Sequence, residues 1–276
     1  MERVHVLVGD LAQSELGLAQ GTLAALARCG RLRAVVHNGA VVHSFLAYGQ
    51  LKAANVGAAM LLAKLADAAA DCSLHFVSSC GILGGFDGTA PDVPPPVHGS
   101  GYTCSKWISD QFVLATVPSA AVYRLGNVAG GVSVGRGNAD DAIMQFVRFL
   151  LLVRCVCAPL CPAAFCLLPA DECARTLAAA VAPGRPPAAR VHHMPGDMQF
   201  SLAQLLDVLR EAGHPVQAVP EDDFRAAVHG LRPGDPMFHF KSMLLAGGGS
   251  APGISAAPLS PRTHAYLLRV LQDLLQ

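Results

Sequence analysis

Short apolar runs recur through the first half of this chain, each followed by a stretch long enough for a helix, and that alternation constrains the fold most. The runs are residues 4–8, 34–37, 74–78 and 120–123. Each is continuously apolar rather than alternating with polar residues, which suits a strand buried on both faces of a parallel sheet. Parallel neighbours need crossover connections of a dozen residues or more, and the intervening segments supply them. The expected class is α/β, with a doubly wound parallel sheet.

One crossover, residues 48–68, is rich in Ala and Leu. Leu51, Asn55, Ala58, Leu62 and Leu65 recur there at spacings of three and four, so they share one helix face. Asn55 is then a polar residue on the face that meets the sheet. A buried amide needs partners, so it either holds a neighbouring backbone or organises a site.

The chain has 276 residues, enough for one large domain or two small ones, and its 52% hydrophobic content supplies a core. Twenty basic residues balance 20 acidic ones, so no basic patch or acidic tail suggests nucleic acid or an anionic membrane surface. The start, Met1-Glu2-Arg3-Val4, does not read as a signal peptide, because the apolar run after it is short and an acid stands at position 2. Residues 149–168 are nearly all apolar, but Arg154, Pro159 and Pro162 interrupt them. A buried helix followed by a loop is expected there, not a membrane span. The nine cysteines include a cluster at Cys155, Cys157, Cys161, Cys166 and Cys173, with no Cys-x-x-Cys pair of the kind zinc sites show. The expectation is no metal site and reduced thiols in a cytoplasmic protein.

After Tyr123 the texture changes. Gly126, Gly130, Gly131, Gly135 and Gly137 mark a loop. A helix is expected from Asp140 and Asp141, whose charges suit an N-terminus, and another after Pro169, with Asp171 and Glu172 in its first turn. Ser201 opens a third, with Gln204 completing a capping box and Gly213 closing it, and a last one runs from about Arg262. Arg190 to His193 reads as a short strand, and residues 246–261 as a Gly/Ser/Pro/Ala-rich surface loop. The expected organisation is a sheet-bearing region over residues 1–130 and a smaller, mostly helical region over residues 131–276.

Chemistry concentrates in Gly101-Tyr102-Thr103-Cys104-Ser105-Lys106-Trp107. Residues four apart on a helix share a face, so the Tyr102 phenol and Lys106 ammonium can act on one substrate atom. The chain has four tyrosines, and its lysines are Lys52, Lys64, Lys106 and Lys241. About 0.06 Tyr-x-x-x-Lys pairs are then expected by chance. Spacing alone is also met by an exposed lysine beside a half-buried tyrosine. Small polar residues stand at the ends of the expected strands: Asp10 in Gly9-Asp10-Leu11, then Asn38-Gly39-Ala40, Ser78-Ser79 and Gly126-Asn127. Each suits an ordinary turn. Together, at the carboxyl ends of parallel strands, they outline a ligand crevice.

These residues resemble the extended short-chain dehydrogenase/reductases. More closely, they resemble the thioester reductase domains that end non-ribosomal peptide synthetases and polyketide synthases, with relatives in carboxylic acid reductases and aminoadipate reductases. Val35-Val36-His37-Asn38-Gly39-Ala40-Val41-Val42 is similar to the loop after the family's fourth strand, and Leu51-Lys52-Ala53-Ala54-Asn55-Val56-Gly57 to the helix that follows. Phe76-Val77-Ser78-Ser79 and the Tyr102–Lys106 run resemble the active-site strand and helix. Tyr123-Arg124-Leu125-Gly126-Asn127-Val128 resembles the last cofactor-side loop, with Leu125 where the family usually has proline, and Leu168-Pro169-Ala170-Asp171-Glu172 a later helix start.

That resemblance implies a Rossmann-like sheet and NADPH as cofactor. It makes Tyr102 the general acid and has Ser79 steady the substrate carbonyl. Lys106 holds the cofactor ribose and lowers the Tyr102 pKa, since a free phenol titrates near ~10. Asn55 positions a water in the proton relay. Asp10 and Leu11 contact the adenine, Asn38, Gly39 and Ala40 line the nucleotide, and Ser78, Leu125, Gly126 and Asn127 complete the cofactor side. Residues 138–168 form the substrate pocket within a substrate-binding region over 131–276. The substrate arrives as a thioester on the phosphopantetheine arm of an acyl or peptidyl carrier protein and leaves as aldehyde or alcohol, with synthetase modules upstream.

One departure matters. The family opens with a strand and a Gly-rich turn whose amides hold the pyrophosphate, and usually has a basic residue after the second strand for the 2′-phosphate. This sequence contains no G-x-G-x-x-G, and Gly135-Arg136-Gly137 lacks the flanking strand. Residues 4–8 resemble the third strand, so the sequence reads as a member without its first βαβ unit: a fragment, a wrong gene start or a degenerate paralogue. Two other readings stand beside the carrier-linked reductase. One is a fatty acyl-CoA reductase or other extended-family reductase with a free substrate. The other is a catalytically inactive binding module.

Overall fold

The computed structural model describes residues 4–43, 45–84, 87–132, 137–138, 141–157, 164–182, 189–245 and 258–275. Expectations resting on Gly135, Arg136, Asp140, Pro159, Cys161 and Pro162, and on residues 246–257, lie outside them. Two compact units emerge. The first takes residues 1–126 and 176–195, the second residues 127–175 and 196–276. The chain thus returns to the first unit after the break expected at 130, and the returning piece brings a strand.

The first unit holds a four-stranded parallel sheet of β1 (Ala34–His37), β2 (Ser73–Ser79), β3 (Ala121–Leu125) and β7 (Val191–Met194), in that order. Three of its strands match the continuous apolar runs, and β7 matches the short run at Arg190. Helices α3 (Ala58–Ala68) and α4 (Gly101–Thr116) make the crossovers. Val35, Leu74, Phe76, Val122 and Val191 meet Ala59, Ala63, Ala66, Val113 and Leu114 in one core. The small alanines let α3 approach closely, and each large side chain buried there contributes about 1.5–3 kcal/mol. On the opposite sheet face a polar row crosses three strands. Ser73 Oγ and His75 Nε2 lie 3.0 Å apart, His75 Nδ1 and Tyr123 OH 2.8 Å apart, and the Tyr123 ring stacks on His192 at 4.7 Å.

The helix expected over residues 48–68 is present with a difference. It opens as α2 (Tyr48–Lys52), passes through a π turn at Ala53–Gly57 and continues as α3. The π turn inserts one residue, and such turns concentrate at functional sites.

The strand expected at residues 4–8 does not form. Val4, Val6, Leu7 and Val8 are 61–89% exposed and have no ladder partners among the described residues. An apolar run becomes a strand only if a neighbour offers its N–H and C=O groups. Among the described residues β1 pairs only with β2, so its outer edge is open, and Val36 on it is 48% exposed. Open apolar edges pair with other chains. The purified chain is therefore expected to self-associate in light scattering, and a clean monomer stable on heating would overturn this.

The second unit contains α5 (Ala142–Val153), α7 (Leu202–Glu211), α8 (Glu221–His229), α9 (Lys241–Leu245) and α10 (Pro261–Leu274). It also has small sheets, β4 (Asn127–Ala129) with β6 (Ala164–Pro169) and β8 (Met198–Ser201), and β5 (Cys155–Cys157) with β9 (Gln217–Val219). The α6 helix (Ala170–Val181) begins directly after Pro169, as expected. Asp141 caps α5 by accepting from the Ile143 N–H at 2.9 Å. Ser201 and Gln204 form the expected capping box. Phe149, Leu150, Met198, Phe200, Leu205 and Tyr266 belong to its core. Among the described residues no helix is long and apolar enough to cross a membrane, and no three His, Cys, Asp or Glu side chains cluster as for a metal.

Candidate active site

The α4 helix presents the central pair. Ser100 caps it, its Oγ accepting the Thr103 N–H at 3.2 Å. Gly101 begins the helix where a Cβ would lie 2.3 Å from Leu46 O and 2.6 Å from Tyr48 N, so only glycine lets α4 start against that backbone. Tyr102 and Lys106 follow one turn apart.

Lys106 is 4% exposed. Its Nζ donates to Val77 O at 2.5 Å and sits 4.3 Å from the centre of the Phe76 ring. Burial lowers its pKa to about 8, against an opposing pull from Asp110. The Tyr102 phenol moves the other way from the lowering that the resemblance implies. Burial raises it, and a hydrogen bond with the Ser79 side chain only partly offsets that. Lys106 directs its donor to the Val77 carbonyl, so desolvation dominates the phenol. At neutral pH Tyr102 is protonated and can act as an acid. Ser79 ends β2, and its Oγ also accepts the Gly81 N–H at 3.1 Å. Ser79 and Tyr102 thus meet at the carboxyl end of the sheet, and Lys106 binds β2 two residues before that end, at Val77.

Asn55 sits in the π turn, 2% exposed. Its Oδ1 accepts from Val41 N at 2.8 Å, and its Nδ2 donates to Val41 O at 3.0 Å and Ser105 Oγ at 2.9 Å. Ser105 Oγ in turn donates to Tyr102 O at 2.7 Å, and Ser109 Oγ donates to Asn55 O at 3.0 Å. Asn55 thereby ties the loop after β1 to the turn of α4 that carries Tyr102.

On the cofactor side, Leu11 lies on Gly39, where a Cβ would come 2.7 Å from Leu11 Cδ1. Asp10 and Leu11 are thus brought to Asn38, Gly39 and Ala40 at the end of β1. Asp10 turns the chain by accepting the Ala12 N–H at 2.8 Å. Ser78 is 4% exposed, and its Oγ has no partner among the described residues. Leu125 is buried, and Gly126 N donates to Met194 O at 2.8 Å. Asn127 is exposed and opens β4 in the other unit.

Three residues outside the expected set belong to this end of the sheet. His37 shares the Phe76 ring with Lys106, at 5.5 Å between ring centres, and its buried Nε2 has no partner among the described residues. Asp110 and Arg124 form an ion pair at 2.8 Å with neither side chain exposed. Asp110 was legible as the residue one turn beyond Lys106. Arg124 and His37 lie within the runs at 123–128 and 35–42, where residue type alone does not mark a role.

Burial lowers the His37 pKa from 6.5 to about 4, and the Lys106 charge adds to the effect. His75 is lowered too, by burial and then by His192. The unfolded chain therefore binds more protons than the folded one between pH 6.5 and about 4, and stability falls as pH drops through that window. The His37 shift alone is worth about 3 kcal/mol. Urea midpoints read from Trp107 fluorescence should fall across this window, and a flat profile would rule the assignment out.

Comparisons with known proteins bear on the family and the fold. A model of the male sterility protein family of NAD-binding domains matches residues 1–177. The isonitrile lipopeptide synthase of Streptomyces coeruleorubidus is 32% identical over 242 residues, covering 83% of this chain and 16% of that protein. The large subunit of L-2-aminoadipate reductase from Eremothecium gossypii is 27% identical over 250 residues, covering 82% of this chain and 18% of that protein. The chain thus spans under a fifth of the length of these relatives. Among solved structures, the terminal R domain from the myxalamid PKS-NRPS biosynthetic pathway has a TM-score of 0.77 at 20% identity, covering 98% of this chain and 74% of that one. The reductase domain of a non-ribosomal peptide synthetase from Mycobacterium tuberculosis gives 0.69 at 21% identity, covering 99% and 76%. At such identities the likeness speaks for the fold, a Rossmann-like parallel sheet. The family match extends over more than half of the chain, which therefore belongs to the male sterility protein family of NAD-binding domains, with its likeness to thioester reductase domains.

Proposed function

We propose that this chain is an NADPH-dependent reductase of acyl thioesters carried on a phosphopantetheine arm, yielding aldehyde or alcohol. The contact of Ser79 with Tyr102 at the carboxyl end of the parallel sheet, one helix turn from the buried Lys106, carries the reading. The synthase and reductase relatives support a carrier-bound substrate, and hence an acyl or peptidyl carrier protein as partner.

A nicotinamide dinucleotide fits part of this end of the sheet. The bare Gly39 under Leu11 and the unpartnered Ser78 Oγ suit the nucleoside portions. Lys106 would hold a ribose, Asp10 and Leu11 would border the adenine, and Leu125 and Gly126 would close the far side. The described residues offer no Gly-rich turn for the pyrophosphate. Bound there, the reduced cofactor supplies the hydride for the thioester carbon. Tyr102 holds the proton that the carbonyl oxygen needs, and burial keeps it on the phenol. Ser79 offers a hydroxyl to the same oxygen. Lys106 supplies positive charge beside both, strongest below its titration near 8. Asn55 fixes the turn behind Tyr102; both N–H donors of its amide are spent on Val41 and Ser105, which leaves none for the relay water that the resemblance implies.

The test is incubation with NADPH and an acyl-pantetheine thioester, following nicotinamide absorbance and product mass. Aldehyde or alcohol with released thiol supports the reading. Neither product nor NADPH binding would put the binding-module reading in front.

A further inference from the structure

The Arg124 guanidinium is fully buried in β3, and all five of its N–H donors are taken. Nε donates to Asp110 Oδ2 at 3.1 Å and Nη2 to Asp110 Oδ1 at 2.8 Å. Nη1 reaches Gly88 O at 3.2 Å and Ala90 O at 2.5 Å, and Nη2 also reaches Pro91 O at 3.2 Å. Asp110 Oδ1 accepts a further bond from Gln111 Nε2 at 3.0 Å.

The consequence falls on Lys106. Asp110 stands four residues beyond it on α4, the spacing at which a helical lysine and a carboxylate pair. Both side chains are buried, so such a pair would be strong. It does not form. Arg124 holds the carboxylate in a two-pronged grip that a lysine cannot match. Lys106 turns to the Val77 carbonyl and the Phe76 ring.

We propose that Arg124 is a positioning residue for Lys106: by occupying both oxygens of Asp110 it denies Lys106 its nearest ion-pair partner and leaves the ammonium on the Val77 carbonyl and the Phe76 ring, one helix turn from Tyr102. The inference rests on the reading of Lys106 as the working partner of Tyr102. A lysine locked to a carboxylate would keep its proton far into the alkaline range and lean away from the site. Without that lock it titrates close to neutrality, where proton exchange is useful. The groups facing Lys106 are His37 from β1, Asp110 and Tyr102 from its own helix, and Arg124 from β3 by way of Asp110. His37 is neutral at neutral pH, so the Asp110–Arg124 pair sets the local charge.

The experiment titrates the full chain labelled with carbon-13 lysine by NMR. There are four lysines, and the Lys106 signal is the one lost in Lys106→Arg. The wild-type midpoint is expected at about 8. Arg124→Met frees Asp110 for Lys106 and should raise the midpoint by about one unit or more. Asp110→Asn leaves Arg124 unpaired nearby and should lower it. The double variant Arg124→Met with Asp110→Leu removes both charges and should return it close to wild type. A general loosening of the fold would not move the single variants in opposite directions. Shifts of one sign, or none, overturn the proposal. If Arg124→Met fails to fold, the comparison of Asp110→Asn with the double variant decides, and equal midpoints overturn it. The titration needs no turnover, so a chain inactive as a reductase would sink the functional reading and leave this inference standing.

Discussion

Replacing Tyr102 with phenylalanine lowers thioester reduction by about 10²–10⁴, the usual worth of a general acid. The ring stays, so packing on Ser79 and the α4 turn is kept while the proton donor is lost. Cofactor binding should survive, because Lys106 and the residues at the end of β1 are untouched. Two variants separate the roles further. Lys106→Ala should damage both rate and NADPH affinity, since it removes a ribose donor and the charge beside Tyr102. Ser79→Ala should lower the rate with little change in affinity. Product formation from a pantetheine thioester, beside NADPH titration of each variant, measures this. Near wild-type turnover in Tyr102→Phe would remove the phenol from the mechanism.

Arg124→Ala costs about 3–5 kcal/mol of stability, because it strands a buried carboxylate and unties three carbonyls. The loss should be local to the first unit. Trp107, the single tryptophan, reports it directly: its Nε1 donates to Val93 O at 2.9 Å, just beyond the loop that Arg124 holds. Urea unfolding followed by its fluorescence should shift to lower midpoint. The double variant Arg124→Met with Asp110→Leu should recover most of the loss, since a charge-free pair of similar volume is often neutral. A wild-type midpoint in Arg124→Ala would show that the pair contributes little.

Much of the first unit was legible because burial on both faces leaves a plain mark. Strands β1, β2 and β3 were visible as continuous apolar runs, and α4 as a Tyr-x-x-x-Lys segment. Residues 4–8 carry the same mark and fail to pair, because composition reports a preference for burial and says nothing of whether a neighbouring strand is there. The small sheets of the second unit were invisible for a related reason. A run such as Gln217–Val219 is too short to show a period, and only pairing with Cys155–Cys157 makes it a strand. In the site, residue types and spacing exposed Tyr102, Lys106 and Ser79. Arg124 escaped notice because its importance lies in contacts with Asp110 and with carbonyls more than thirty residues away. The rise of the Tyr102 pKa was likewise unreadable, since it depends on how much water the fold removes.

The π turn at Ala53–Gly57 makes length itself informative. One residue deleted there would restore a regular α-helix, the kind of smoothing that design for stability favours. An ordinary α-helix turns about 100° per residue, and the π turn absorbs the extra residue, so Leu51 and Ala58 would keep their buried faces. The widened turn itself would close, and with it the placement of Asn55 against Val41 and Ser105 would be lost. A single-residue gap at this point in a relative would therefore mark a lost site even where every motif letter is intact.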